Sequence, residues 1–175
     1  PAVDQWRRSW MDPCMRGGVR RSTTQDVSFN FASLQEVCEL AGDDFGQICL
    51  DKLKCFDRIC RELVFSLQKE AGCPERILQA RRSLYASMQV VFKVNSYFGP
   101  PTHFCNGVMQ GCAHSLDDIG MLMVVFVRCL KVRVPRALCG VYVDDTSLAA
   151  RGMVFETFKA SIEVVIEHDR ATLQS

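Results

Sequence analysis

Two adjacent carboxylates, Asp144 and Asp145, follow the short apolar run Val141-Tyr142-Val143 and precede Thr146-Ser147-Leu148. A strand that ends in paired acids and then turns back sets two anions at a hairpin tip. Like charges side by side are costly there without a cation or hydrogen-bond donors to compensate them. The pair suits either a solvated acidic turn, since Asp favours turns, or a site for a hard divalent cation. A third acid, Asp51, ends the apolar run Ile48-Cys49-Leu50 and so also sits at a strand end. From Asp57 onward, Ile59, Leu63 and Leu67 recur at i, i+4 and i+8. That spacing predicts one helix beginning just after Phe56, with Asp57 as a structural cap near its N-terminus.

A third segment lies between these: Asn106-Gly107-Val108-Met109-Gln110-Gly111-Cys112-Ala113-His114-Ser115. Gly107 and Gly111 flank a short polar-tipped stretch, which lets the backbone approach a ligand. Ser115 with Asp118 three residues on reads as a capping box. It opens an apolar helix through Met121, Leu122, Val125 and Leu130.

In this order the three segments resemble motifs A, B and C of the reverse transcriptases, most closely those of non-LTR retrotransposons and related retroelements. Motif A, Asp-x-x-Lys-Ala-Phe-Asp, is matched by Asp51, Lys54, Cys55, Phe56 and Asp57, with Cys55 in place of the usual alanine. Motif B, Gly-Val-x-Gln-Gly-x-x-x-Ser, is matched by Gly107, Val108, Gln110, Gly111 and Ser115. It departs from the usual Pro-Leu-Ser-Pro continuation, which here reads Ala113-His114-Ser115-Leu116 and loses both prolines. Motif C is matched by Tyr142, Asp144 and Asp145, and residues 16–26 resemble the Arg-Ser-Thr segment that precedes motif A. The resemblance covers roughly residues 16–150, and its weight comes from three ordered matches rather than from any one of them.

The resemblance implies an RNA-directed DNA polymerase, joining deoxynucleotides to a primer 3′-hydroxyl with two Mg²⁺ ions (Mn²⁺ as the alternative) about 3.5–4 Å apart. Asp51, Asp144 and Asp145 are then the catalytic, metal-holding carboxylates. Lys52, Phe56, Gln110 and Gly111 would line the nucleotide pocket, with Phe56 beneath the sugar, excluding a 2′-hydroxyl. For Phe56 the alternative is core packing. Arg20, Arg21 and Lys54 are candidates for nucleic-acid backbone contacts, or else plain solvated cations. His114 reads as a polar filler or a proton donor. The implied partners are an RNA template, a DNA primer and dNTPs, with no membrane. By the same resemblance, further fingers segments would precede residue 16. A motif D, primer grip and thumb would follow residue 175, with an endonuclease domain as a further candidate neighbour. The chain is therefore expected to be the palm part of a longer polyprotein, or a decayed, non-catalytic copy, with little synthesis by itself.

The elements that must position these residues form an α+β order. Residues 22–24 cap a helix bearing Val27, Phe31, Leu34 and Cys38 and ending near Gly42. The motif A strand and helix follow, then a helix from Pro74 with Ile77, Leu78, Arg81, Leu84 and Tyr85 on one face, Arg81 and Arg82 reaching solvent or a phosphate. Val90, Phe92 and Val94 alternate as a strand, and Gly99-Pro100-Pro101 turns into a second. The motif B helix, the motif C hairpin and a last helix with Phe155, Phe158, Ile162, Val165 and Ile166 at helical spacing complete the set. This is an antiparallel sheet backed by helices, the layout of a polymerase palm over residues 47–175, with a partial fingers segment over 1–46.

Composition is consistent with that layout. The 175 residues are 48% hydrophobic, enough for one core. A net charge of +1 lacks the basic excess of a free-standing nucleic-acid binder. Ten scattered cysteines without Cys-x-x-Cys pairs argue against zinc and for a reducing, intracellular setting. The apolar run 119–127 is too short to span a bilayer and reads as a buried helix.

Overall fold

The computed structural model, which describes residues 2–173, is an α+β arrangement built on three antiparallel strands. Helices α1 (Ala2–Trp10) and α2 (Thr24–Ala41) lead into β1 (Phe45–Leu50). Helices α3 (Cys55–Arg58), α4 (Arg61–Glu70) and α5 (Glu75–Ser87) follow, then a small hairpin, β2 (Lys93–Val94) and β3 (Tyr97–Phe98). The long helix α6 (Ser115–Arg133), the pair β4 (Leu138–Tyr142) and β5 (Asp145–Arg151), and α7 (Val154–Thr172) close the chain.

In the sheet, β5 lies between β1 and β4. Side chains alternate across it. Leu148 and Val141 are buried in the main core with α6 and α7, whereas Ala149 meets Val27 and Phe31 of α2 on the other face. Gly140 lets α2 come close, since a Cβ there would stand 2.7 Å from Val27 and 2.8 Å from Phe31. Beyond β4, residues 14–16 extend the sheet. Val141 N–H donates to the Cys14 carbonyl at 2.9 Å, and Arg16 N–H donates to the Val141 carbonyl at 2.7 Å.

Helix α2 ends as its sequence predicts. Thr23 and Asp26 form a capping box, and Gly42 takes the left-handed C-cap conformation. Four other expectations are corrected. The single helix expected after Phe56 is two helices, interrupted at Ile59, which leaves helical geometry (ψ 128°) to bridge Leu173 in antiparallel fashion. The Ser115 hydroxyl bonds the Cys112 carbonyl instead of capping α6, and Asp118 is turned inward. Asp57 caps neither helix: Lys54 and Cys60 hold the N-cap positions. On α7 the buried stripe is Thr157, Ser161, Val164, His168 and Thr172, while Phe155 and Ile166 are exposed.

Arg81, expected to reach outward, is also buried. Its guanidinium pairs with Asp118 and donates to Gln68 at 2.6 Å, and Gln68 in turn donates to Asp118 at 2.8 Å. Beside it, Asp117 is held by Arg7 of α1 and by His114. Helix α6 thus enters the core with two acids in its first turn, each met by an arginine from another helix. All ten cysteines are free. Among the described residues no helix is long and apolar enough to cross a membrane.

Candidate active site

The acids come together because the strand register requires it. Strand β4 ends at Tyr142, which pairs with Asp145, the first residue of β5; Val143 and Asp144 make the turn. Val143 has a φ of 60°, a left-handed conformation that a β-branched residue adopts only at a cost of about 1–3 kcal/mol. Gly17 packs against that turn so tightly that a Cβ on it would lie 2.3 Å from the Val143 nitrogen. On the other side of β5, Leu50 pairs with Thr146, so Asp51, the next residue, comes beside Asp145 at the same end of the sheet.

The electrostatics report the same convergence. The Asp144 carboxyl is pushed above its ordinary value, first by partial burial; a hydrogen bond from its own backbone opposes this, and the charges of Asp145 and Asp51 add to it. Cys55, buried at the start of α3, has its thiol pushed up to about 11 by burial and then by Asp144, with Asp51 contributing and Lys52 opposing. Asp51 and Asp145 are exposed and Asp144 is half-buried. Asp51 and Asp145 also line a cavity of about 270 Å³ with Thr24, Ser28, Tyr142 and Ser147.

Lys52, expected at the nucleotide, is buried instead. Its ammonium pairs with Asp169 of α7 and sits 5.8 Å from the centre of the Phe126 ring. Burial alone would raise the Asp169 carboxyl, but hydrogen bonds from His168 and Lys52 hold it below its ordinary value. His168 is fixed in turn by the Leu122 carbonyl at 3.0 Å.

The loop bearing Gln110 is fastened to residues 56–59 by the backbone. Val108 N–H donates to the Phe56 carbonyl at 2.7 Å and Gly107 N–H to the Ile59 carbonyl at 2.9 Å. Gly107 is required by the protein rather than by a ligand: its φ is 77° and a Cβ would lie 2.7 Å from the Asp57 carbonyl oxygen. Arg61 clamps the loop from below, donating to Gly107, to Phe104 at 2.7 Å and to Asn106 at 2.6 Å. Nothing in the sequence marked Arg61 or Asp169 as part of this arrangement. Gln110 and Gly111 are exposed, Gly111 with a φ of 80° and open space where a side chain would be. Phe56 is half-buried against the core. Arg20, Arg21 and Lys54 are exposed; Arg21 lines a separate polar cavity of about 440 Å³ with Arg16, Gln25 and Asn30.

Among the described residues no group of three or more His, Cys, Asp and Glu side chains is close enough to hold a metal ion by itself. The donor set nevertheless suits a hard cation. Three carboxylates share one sheet end, and Asp144 bears like-charge repulsion that Lys52, engaged with Asp169, only partly offsets. Mg²⁺ takes one or two carboxylates and completes its shell with water and substrate phosphates, so it does not need a closed protein cage.

No family model matches the chain. It is 27% identical over 142 residues to the "Transposon TX1 uncharacterized 149 kDa protein" of Xenopus laevis, a match covering 75% of this chain and 11% of that protein. Its fold is similar to that of part of two telomerase chains. It matches telomerase from Candida albicans, solved in complex with a TWJ fragment of telomeric RNA, with a TM-score of 0.62 and 13% identity over 96% of this chain and 30% of that one. It matches apo telomerase from Candida tropicalis, truncated from the C-terminal domain, with a TM-score of 0.61 and 15% identity over 93% of this chain and 33% of that one. The chain spans about a tenth of the length of the transposon protein and about a third of each solved chain.

Proposed function

We propose that this chain is the catalytic palm region of a retrotransposon reverse transcriptase, adding dNTPs to a DNA primer on an RNA template, with residues 1–46 a fingers-like segment and 47–175 the palm. The observation that carries the reading is the register pairing Leu50 with Thr146 and Tyr142 with Asp145, which brings Asp51, Asp144 and Asp145 to one sheet end. The fold likeness to telomerase and the sequence likeness to a transposon protein support it. Asp51 and Asp144 would hold Mg²⁺, with Asp145 as a neighbouring carboxylate. Bound there, the ions supply charge stabilisation at the attacking and leaving oxygens. Asp169 keeps the Lys52 ammonium engaged behind the site, so that it does not neutralise the acids where a metal is to bind. Phe56 would underlie the deoxyribose, and Gln110 and Gly111 would face base and template.

The test is extension of oligo(dT) on poly(rA) with Mg²⁺ by a longer protein that contains this chain, as wild type and as Asp144→Asn, together with the Mg²⁺-dependent rise in Tm of each. Several kcal/mol of transition-state stabilisation correspond to roughly 10³-fold in rate. The variant should lose at least that much extension and most of its Mg²⁺-dependent Tm shift. Undiminished extension by the variant would sink the metal assignment. A wild type that neither extends nor gains stability from Mg²⁺ would favour a palm that has lost its chemistry.

A further inference from the structure

Between Glu75 and Asp117 the chain carries no acidic residue, although Arg76, Arg81, Arg82 and Lys93 lie within that stretch. At its centre the β2–β3 hairpin stands out from the body, and among the described residues it packs on no other element to any substantial extent. Tyr97 is 82% exposed, Phe98 69% and Phe92 58%. Cross-strand pairing of Val94 with Tyr97 and Lys93 with Phe98 sets Phe92, Val94 and Tyr97 on one face of the pleat and Lys93 and Phe98 on the other. The Lys93 ammonium lies 5.4 Å from the Phe98 ring centre, and Phe92 meets Phe104 edge-on at 6.1 Å.

A two-stranded hairpin is marginal in water, and a cluster of exposed rings marks an interaction surface. The root of this one is nonetheless well fixed. Val90 and Thr102 exchange two backbone hydrogen bonds of 2.8 Å, His103 contacts the Met88 carbonyl at 3.0 Å, and Arg61 holds the Phe104 carbonyl. The rings are therefore presented on a short rigid mount that continues directly into the loop bearing Gln110.

We infer that this hairpin is a stacking platform for single-stranded nucleic acid, with bases laid on Tyr97 and Phe92 and the backbone drawn to Lys93. The composition argues for that occupant: flat rings stack on any base, a cation serves the phosphates, and no carboxylate in the stretch repels them. The inference deepens the polymerase reading and rests on it for the choice of nucleic acid over another polyanion. It would make the hairpin a point where the template strand is held outside the catalytic centre.

The measurement is fluorescence anisotropy of a labelled oligo(rA) of about 20 nucleotides with the full chain, in EDTA, across a salt series. Stacking is worth ~1–3 kcal/mol per base, so Tyr97→Ala with Phe92→Ala should weaken binding by roughly 30-fold or more. Lys93→Gln should flatten the salt dependence by about one unit of slope. Because these side chains are exposed, the melting curves should match wild type, which separates lost contact from lost fold. Unchanged affinity in the double variant, or no binding by wild type, overturns the platform. A wild type that sediments as a dimer while the double variant is monomeric also overturns it, and assigns the hairpin to self-association. EDTA keeps the metal site out of this readout, so undiminished extension by Asp144→Asn with oligo(rA) binding intact would fault the metal assignment and not the platform.

Discussion

Val143 and Gly17 show how much structure serves one carboxylate. A β-branched residue with positive φ places Asp144 in the turn, and a glycine pressed against its backbone nitrogen leaves that turn no room to relax. The acid is then half-buried among like charges, the condition in which a divalent cation is most strongly favoured. Phe56 poses a different question at this scale, because its side chain is half-buried against the core while its carbonyl anchors Val108. If the exposed part of the ring underlies the sugar, Phe56→Ala should raise incorporation of ribonucleotides relative to deoxynucleotides by about 10-fold or more, the scale of a lost steric clash of 1–3 kcal/mol. Competition between rTTP and dTTP in single-nucleotide addition measures this. An unchanged ratio would return Phe56 to packing alone.

Among the elements, α6 depends most on its neighbours, since it carries Asp118 into the core with no exposed surface. Burial outweighs the attraction of Arg81 and the hydrogen bonds from Arg81 and Gln68, and pushes the Asp118 carboxyl above its ordinary value. Removing either partner leaves the other buried and unpaired. Asp118→Leu or Arg81→Met alone should cost ~3–5 kcal/mol in urea unfolding, and the double variant should recover most of that. A second ion pair, Asp12 with Lys131, ties the C-terminal end of α6 to the segment after α1. Burial raises the Asp12 carboxyl, but the Lys131 hydrogen bond and the Cys14 backbone N–H more than reverse it, so it lies below its ordinary value. Its stabilisation is fully present above the unfolded value and is lost as pH falls through the folded one. Wild type should therefore lose more Tm than Asp12→Asn between pH 5 and roughly pH 2; parallel pH profiles would rule the linkage out. Strand β1, the acidic hairpin and capped α2 were all legible in the sequence, because alternation, turn and cap signals there agree with the tertiary structure. The break at Ile59 was not, because its bridge partner there, Leu173, lies far away in the sequence. The buried face of α7 was hidden because Thr157, Ser161 and Thr172 bond the carbonyls one turn back, at 2.7–2.8 Å. That satisfies their polarity within the helix, so residues that read as solvent-facing pack inside. Arg81 misled in the same way, because a pattern of residue types gives no sign that a charge has its partner on another helix.

At the scale of the whole molecule, the question is whether residues 1–46 fold apart from the rest of the chain. The core argues that they do not. Trp6, Trp10 and Met15 belong to the same buried cluster as Leu148 and Val141 of the sheet and Val127 of α6. Trp10 seats on Gly120, where a Cβ would come within 3.1 Å of its ring, and the Trp6 indole donates to the Ala71 carbonyl at 2.8 Å. Arg7 reaches Asp117, and residues 14–16 run along the edge of the sheet beside Val141. Residues 1–46 and the rest of the chain are thus joined by apolar contact, an ion pair and backbone hydrogen bonds at once, and opening one exposes the other. The only two tryptophans are both in α1, so indole fluorescence reports the first segment, whereas far-UV circular dichroism reports helices throughout. In urea the two signals should give one coincident transition, the mark of a single cooperative unit. A fluorescence midpoint clearly below the dichroism midpoint would mean that α1 releases first and that the three-stranded sheet and its acids stand without it. Trp10→Ala supplies the control. Deleting a buried tryptophan costs ~3–5 kcal/mol, and in a single unit it should shift the dichroism midpoint as a whole and not merely strip away an early phase.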